Sequence, residues 1–280
     1  MLGGFDYVHP RSTEDACRLL AETADARILA GGTDLLVEIR NGLRAPSLLV
    51  DVKRIDELAC LDTDGTEWIV GATVPLNVLA ERRAIRDALP ALADAAVSIG
   101  TYQLRNRATL AGNLCNASPA ADSAPVLLAI GASVSVAGPG GRRTVPISEL
   151  FAGAKRTCLE PGEIVTDVRI PARPDGMRCA FLKQQRIRGH DLAVVNVAGA
   201  YHPETKRLHI AIGSCAPTPI LLEPIEATGS AAAVADLGIG LAEAATSPIS
   251  DVRASADYRR AVLPILLRRL IGRLLDGGGP

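Results

Sequence analysis

The sequence predicts an α+β chain with a small βαβ lobe, a larger mixed-sheet α/β lobe, and a C-terminal antiparallel three-stranded sheet packed with helices. Three observations predict it. In the first part, strand-like apolar runs alternate with helical periodicity, the pattern of parallel units. A stretch punctuated by Pro and Gly, PARPDG at 171–176, separates that part from the rest. Beyond it, three alternating runs follow one another through short turns before helical patterning takes over.

Ser12 opens the first helix with Asp15 three positions on, a capping-box-like start, and Ala16, Leu19 and Leu20 form its apolar stripe. Residues 27–30 read as a buried strand that ends at once in Gly31-Gly32-Thr33-Asp34. Helical periodicity resumes at Leu35, Leu36 and Ile39 and stops near Gly42, and 47–52 (SLLVDV) is a second strand. In the middle, 68–70 is a strand and 75–85 a helix with Pro75 in its first turn. A basic segment, 103–107, leads into Thr109-Leu110-Ala111-Gly112-Asn113. Ser118-Pro119 starts a helix with Asp122 in its first turn, where a carboxylate is favoured. Strands follow at 132–137 and 163–170. After the linker come strands at 179–186, 192–201 and 208–212, with a turn at 202–205, then helices at 230–237, 241–245 and 258–275. The expected domains are 1–55, 56–173 and 174–280, with no internal repeat.

Composition narrows the function. With 48% hydrophobic and 22% charged residues the 280-residue chain can bury a core, which excludes a disordered tail. Thirty basic residues nearly cancel thirty-one acidic ones, and aromatics are 3%, so neither a phosphate-tracking surface nor a base-stacking platform is expected. The longest uncharged stretch, 123–141, is broken by Pro and Gly, so no membrane span is expected, and the start lacks a secretory pattern. Six scattered cysteines with no CxxC pair read as reduced thiols of a cytoplasmic protein, with no metal site.

Two segments could carry chemistry. At Gly31–Asp34 a strand runs into two glycines, two hydrogen-bonding residues and a helix. This suits backbone approach to an anion such as a pyrophosphate, though on this segment alone a plain tight turn is the favoured reading. It is neither GxGxxG nor a Walker loop. At 109–122 small residues and short polar side chains crowd together, as in a polar ligand loop or a helix-capping loop. Two such loops about 80 residues apart fit two sides of one nucleotide. His190-Asp191 reads as a structural polar pair rather than a dyad, Cys115 as a small buried thiol, and the Arg-rich end as an amphipathic helix. No base or nucleophile stands out, so no catalytic residue is expected in this chain.

On these residues the chain resembles the FAD-binding (medium) subunit of molybdenum hydroxylases, such as carbon monoxide dehydrogenase and the flavin domain of xanthine dehydrogenase. FDYVHPRSTEDA, LAGGTDLL, TLAGNLCNASPAADSAPVLLAIGA, FLKQQRIRGHDLAVVNVA and DVRASADYRR carry the resemblance over almost the whole chain. It implies a two-lobed FAD-binding domain of the vanillyl-alcohol-oxidase-like type. It implies that Ile28, Leu29, Ala30, Gly31, Gly32, Thr33, Asp34 and Leu35 wrap the FAD pyrophosphate. Thr109, Leu110, Ala111, Gly112 and Asn113 would line the other side, Asp122 the sugar or adenine side, and Ile99, Val165 and Lys183 the flavin. A cation at Lys183 would favour anionic reduced flavin, whereas its strand position alone would allow an exposed edge lysine.

The resemblance also implies partners: a large molybdopterin-binding subunit and a small subunit with two [2Fe–2S] clusters, in a dimer of heterotrimers without nucleic acid. Electrons would run from the clusters through FAD to an external acceptor. A stand-alone FAD-dependent oxidoreductase with its own substrate is the alternative, and a scaffold that has lost flavin is another. The sequence departs from the family at Ala111-Gly112, where Gly-Gly is usual, and it lacks the iron–sulfur insertion of members that reduce hydroxybenzoyl thioesters.

Overall fold

The computed structural model describes residues 4–172, 174, 176–187 and 189–277. Arg173 and Asp175 of the expected linker lie outside the described residues. The first lobe runs β1 (Asp6–Val8), α1 (Thr13–Glu22), β2 (Ala26–Leu29), α2 (Leu35–Arg40) and β3 (Leu48–Asp51). Its three strands are parallel in the order β1-β3-β2. Ser12 caps α1 as the sequence predicts, accepting the Asp15 N–H at 3.1 Å. The three-residue β1 was not expected, because DYV has no room to show alternation.

The second lobe contains β4 (Leu61–Thr63), β5 (Glu67–Gly71), α3 (Leu76–Glu81), α4 (Arg83–Ala88), α5 (Pro90–Ser98), α6 (Tyr102–Arg105), α7 (Leu110–Cys115) and α8 (Ser123–Ala129). It continues with β6 (Ser133–Gly138), β7 (Gly141–Pro146), α9 (Ile147–Leu150), β8 (Phe151–Gly153), β9 (Arg156–Thr157) and β10 (Ile164–Pro171). The five-stranded sheet has the order β4-β5-β10-β6-β7, and β8 and β9 form a separate hairpin. The mixing in this lobe is of strands with helices, since its described strand pairings all run antiparallel.

Two helix expectations here are corrected. The single helix at 75–85 is two helices, broken where Arg82 is extended, with Pro75 as N-cap. The break lets Leu76, Leu79 and Ile85 all reach the core. The helix expected from Ser118 begins at Ser123. Pro125 explains this: from a start at 118 its ring would strike a carbonyl four residues back, whereas at the third position of α8 its missing N–H costs nothing.

The C-terminal part holds β11 (Arg178–Gln184), β12 (Val195–His202), β13 (Arg207–Gly213), β14 (Ile220–Leu221), β15 (Ile225–Glu226), α10 (Ala231–Ala245) and α11 (Ala256–Asp276). The three long antiparallel strands are those the sequence predicts; β14 and β15 add two-residue pairings to β13. The two expected helices at 230–245 are one. Gly238 does not break it but lets it pack closely, since a Cβ there would meet Ile271 Cδ1 at 3.3 Å and Ile210 Cδ1 at 3.4 Å.

The main core lies between the second sheet and α3, α5, α7 and α8, and takes in Phe181, Ala198, Ala200 and Ala211. The C-terminal sheet is therefore covered on both faces, by α5 and α8 on one side and by α10 and α11 on the other. No helix among the described residues is long and apolar enough to cross a membrane.

Candidate functional site

A cleft of about 860 Å³ opens between the first two lobes. Its first wall is the end of β2 and the turn into α2. Side chains alternate along a strand, so Ile28 and Ala30 face the cleft while Leu29 packs inward with Ile39 and Leu49. Gly31, Gly32, Thr33, Asp34 and Leu35 complete this wall. Gly32 has φ +73°, and a Cβ on Gly31 would sit 2.1 Å from Arg107 O. Glycine is thus required for the turn to touch the backbone that leads into the second wall. The α2 ladder starts with Leu36 N–H donating to Gly32 O at 3.1 Å, so the amides of the turn precede it.

The second wall is the first turn of α7, not the loop expected from sequence. Thr109 caps it, its hydroxyl accepting the Gly112 N–H at 3.0 Å. Thr109, Ala111, Gly112 and Asn113 line the cleft, and Leu110 is buried away from it. Within 4 Å, a Cβ on Gly112 would meet only the Thr109 hydroxyl, so the cleft itself is the space a side chain would fill. Ala111, at the departure from Gly-Gly, is 4% exposed and also packs in the main core. The walls are tied by Asn116 Nδ2, which donates to Asp34 Oδ1 at 3.0 Å.

Asp122, Ile99 and Val165 also line the cleft. Asp122 is buried and accepts from Lys183 Nζ at 2.6 Å, Asn196 Nδ2 at 2.8 Å and the Ser98 hydroxyl at 3.0 Å. Burial pushes its carboxyl above the ordinary carboxylate range, and Lys183 pulls the other way. Lys183 is not an exposed edge lysine: its side chain is 6% exposed, and it sits behind Asp122 rather than in the cleft lining.

Sequence reasoning missed Glu38, Arg44 and Lys155, which also line the cleft. Arg44 Nε lies 2.5 Å and Lys155 Nζ 3.4 Å from the Glu38 carboxylate, and Lys155 also donates to Asn116 Oδ1 at 2.6 Å. Burial raises Glu38, but the two cations outweigh it and hold the carboxyl below its usual range. Lys155 has φ +60°, and its N–H reaches Ala117 O at 2.8 Å, where Ala117 has φ +45°. No residue in AGAKRT signals such a conformation, which is why a reading by motif passes over it.

Cys115 has surface open to the cleft, yet it sits deep in the concavity with protein packed around its thiol. Desolvation by the surrounding protein, then the neighbouring Cys158, pushes its thiol up to about 12, so it is no thiolate at neutral pH. His190 and Asp191 lie between β11 and β12, not on a strand; Asp191 forms an ion pair with Arg186 at 2.8 Å. Among the described residues no cluster of three His, Cys, Asp or Glu side chains could hold a metal.

The cleft combines glycine-lined backbone, an apolar wall at Ile28, Ile99 and Val165, and a polar stretch at Asp34, Glu38, Arg44 and Lys155. The cleft's volume is in the range of sites that take small molecules or cofactors, and its lining offers both apolar and polar contacts.

Comparisons with known proteins agree. The profile of the FAD binding domain in molybdopterin dehydrogenase matches residues 3–173, and that of the CO dehydrogenase flavoprotein C-terminal domain matches 180–274. The carbon monoxide dehydrogenase medium chain of Afipia carboxidovorans is 32% identical over 278 residues, covering 97% of this chain and 96% of the relative. The xanthine dehydrogenase FAD-binding subunit of Escherichia coli O157:H7 is 31% identical over 286 residues, covering 98% and 97%. The crystal structure of the cyanide-inactivated Cu,Mo-CO dehydrogenase superposes with a TM-score of 0.92 at 31% identity, covering 99% of this chain and 100% of that one.

Proposed function

This chain belongs to the FAD-binding medium subunits of the molybdenum hydroxylase family, which are oxidoreductases, and on that premise we propose that it relays electrons from a partner's [2Fe–2S] clusters to an external acceptor. The observation that carries this reading is the meeting of the two small-residue walls at Gly31 and Arg107 around one cleft.

Bound FAD supplies the redox chemistry through its isoalloxazine ring. The chain's residues hold and shape it. The turn from Ile28 to Leu35 offers backbone amides to the diphosphate, with Thr33 and Asp34 adding side-chain contacts, and Leu29 backs the turn from the core. Thr109, Ala111, Gly112 and Asn113 form the opposite wall, with Leu110 anchoring it. Asp122 takes the sugar side, held by Lys183, while Ile99 and Val165 keep water from the ring.

The proposed partners are a large molybdopterin-bearing subunit and a small subunit with two [2Fe–2S] clusters, as two copies of a heterotrimer in the cytoplasm. Free cysteines throughout suit a reducing compartment. Relatives named for carbon monoxide and for xanthine match this chain at similar identity along its length. This supports substrate choice on the large subunit. The lobes 1–55 and 56–173 clasp the cofactor, and 174–280 backs them.

Copurification with mass spectrometry, metal analysis and a visible spectrum tests the reading. Flavin bands travelling with molybdenum and iron are expected. An isolated chain that reduces a substrate of its own without molybdenum would establish the stand-alone oxidoreductase instead. Absence of flavin bands from the intact complex would sink the cofactor assignment.

A further inference from the structure

The corner Ile99–Gly100 lines the cleft just after α5, and four consecutive carbonyls there are held by two cations. Arg105 Nη1 donates to Val97 O at 2.9 Å, Ile99 O at 3.2 Å and Gly100 O at 3.2 Å. Lys183 Nζ, arriving from β11, donates to Ser98 O at 3.1 Å. The last carbonyls of a helix have no partners within it, so a cation there satisfies them and opposes the helix dipole. Here the device does more than cap. Gly100 has φ +57°, a conformation that turns the chain sharply, and the guanidinium is on the inside of that turn.

Arg105 is itself fixed. Its Nε donates to Asn77 Oδ1 at 2.9 Å, and the buried Asn77 donates in turn to Tyr102 O at 2.9 Å and Asn106 Oδ1 at 2.7 Å. Its Cζ lies 5.9 Å from the Tyr102 ring centre. The two N–H groups of Nη1 are shared among three carbonyls, and the rigid guanidinium plane, pinned at Nε by Asn77, keeps that nitrogen in place, which an ammonium on a flexible stem does poorly.

We propose that Arg105 is a positioning residue for the flavin, setting the Ile99–Gly100 wall of the cleft by gripping three of its four carbonyls while Lys183 grips the fourth. The proposal rests on the reading of this cleft as the FAD site. It gives the C-terminal sheet a part in the site, because one of the two gripping cations comes from it.

The test uses the full chain in its complex, comparing Arg105→Met and Arg105→Lys with Arg178→Met. Arg178 does the same capping chemistry away from the cleft, donating to Leu274 O at 3.0 Å and Leu275 O at 2.9 Å. Flavin affinity, the visible absorption and circular dichroism of bound flavin, its midpoint potential, and Tm are read for each. Arg105→Met is expected to weaken flavin binding by roughly tenfold and to shift the bound spectrum and potential. Arg105→Lys is expected to restore these in part. Arg178→Met is expected to lower Tm while leaving the flavin readouts at wild-type values. Should Arg105→Met fail to fold, Arg105→Lys alone decides, by a shifted or an unshifted flavin spectrum. Wild-type flavin readouts in both Arg105 variants, or equal shifts in Arg178→Met, overturn the proposal. A wild-type complex without flavin instead overturns the reading on which it rests.

Discussion

Thr109 and Ser255 each cap a helix by accepting an N–H three residues on, yet the two helices serve different ends. Ser255 opens α11, which runs 21 residues and buries Leu263, Leu266, Leu267, Leu270, Ile271 and Leu274. Thr109 opens α7, only six residues long, whose second glycine-sized position, Gly112, faces the cleft. The same contrast holds for buried charge. In the C-terminal part Arg259 is fully covered and donates through Nη1 to Val194 O and Ser214 O and through Nη2 to Asp251, while its Nε is buried without a partner. At the cleft, the Asp122 carboxylate is covered and paired with Lys183, although the residue belongs to the cavity lining. The C-terminal region uses its polar groups to close itself. The cleft region leaves glycine-lined backbone facing an open space.

The largest effect that sharpens this comparison is expected from Arg259→Met. It takes the buried donor from the Val194 and Ser214 carbonyls while Asp251 keeps Arg253, and stability should fall by about 1–3 kcal/mol for each carbonyl left unpaired, read by denaturant unfolding. The folded fraction should keep its flavin stoichiometry. Next comes a pair of glycine variants. In Gly199→Val the side chain drives into Leu274 Cδ1, 2.7 Å from an ideal Cβ, and overpacking should cost about 1–3 kcal/mol without loss of flavin per folded chain. Gly112→Val should do the reverse, removing most bound flavin while Tm stays near that of the flavin-free wild type. If both variants changed only stability, the distinction between the two regions would collapse.

Acid should separate the regions by sign. Asp122 is held above its ordinary value of 3.8, so the folded chain binds that proton more tightly than the unfolded chain. Its contribution is full below 3.8 and is lost as pH rises through the folded value. For Asp251, burial raises the carboxyl, but Arg253 and Arg259 outweigh it and hold it below 3.8. Its contribution is present above 3.8 and is lost as pH falls. Tm measured across the acid range should therefore lose its decline with rising pH in Asp122→Asn and its decline with falling pH in Asp251→Asn. The smallest effect is expected at Lys155, whose ion pair is 46% exposed on the lysine side. Lys155→Met should change stability by less than about 1 kcal/mol, checked by Tm. Flavin association should nonetheless become slower and less sensitive to salt.

Much of this was legible in the residues. Ser12 announces α1, the run SLLVDV announces β3, and Gly31-Gly32 announces a backbone that must come close to something. These are local signals, read from one turn or one alternation. The start of α8 was legible too, had Pro125 been given its steric weight. The pairing of Asp122 with Lys183 was not, because it joins α8 to a strand of another sheet and neither neighbourhood hints at the other. Nor was the role of Gly238, where composition suggests a break and tertiary packing keeps the helix intact. Lys155 was hidden for a third reason: its importance comes from a left-handed backbone at a residue that does not ordinarily adopt one.

The separation of 61 positions between Asp122 and Lys183 also sets a schedule. A polypeptide leaving the ribosome exposes both glycine turns long before β11 has been translated, and domains form from the N-terminal side as synthesis proceeds. Through that interval the carboxylate destined for burial has no lysine to meet it. Holding a cofactor is therefore a late acquisition in the life of the nascent chain, and products cut short ahead of β11 should leave flavin in solution.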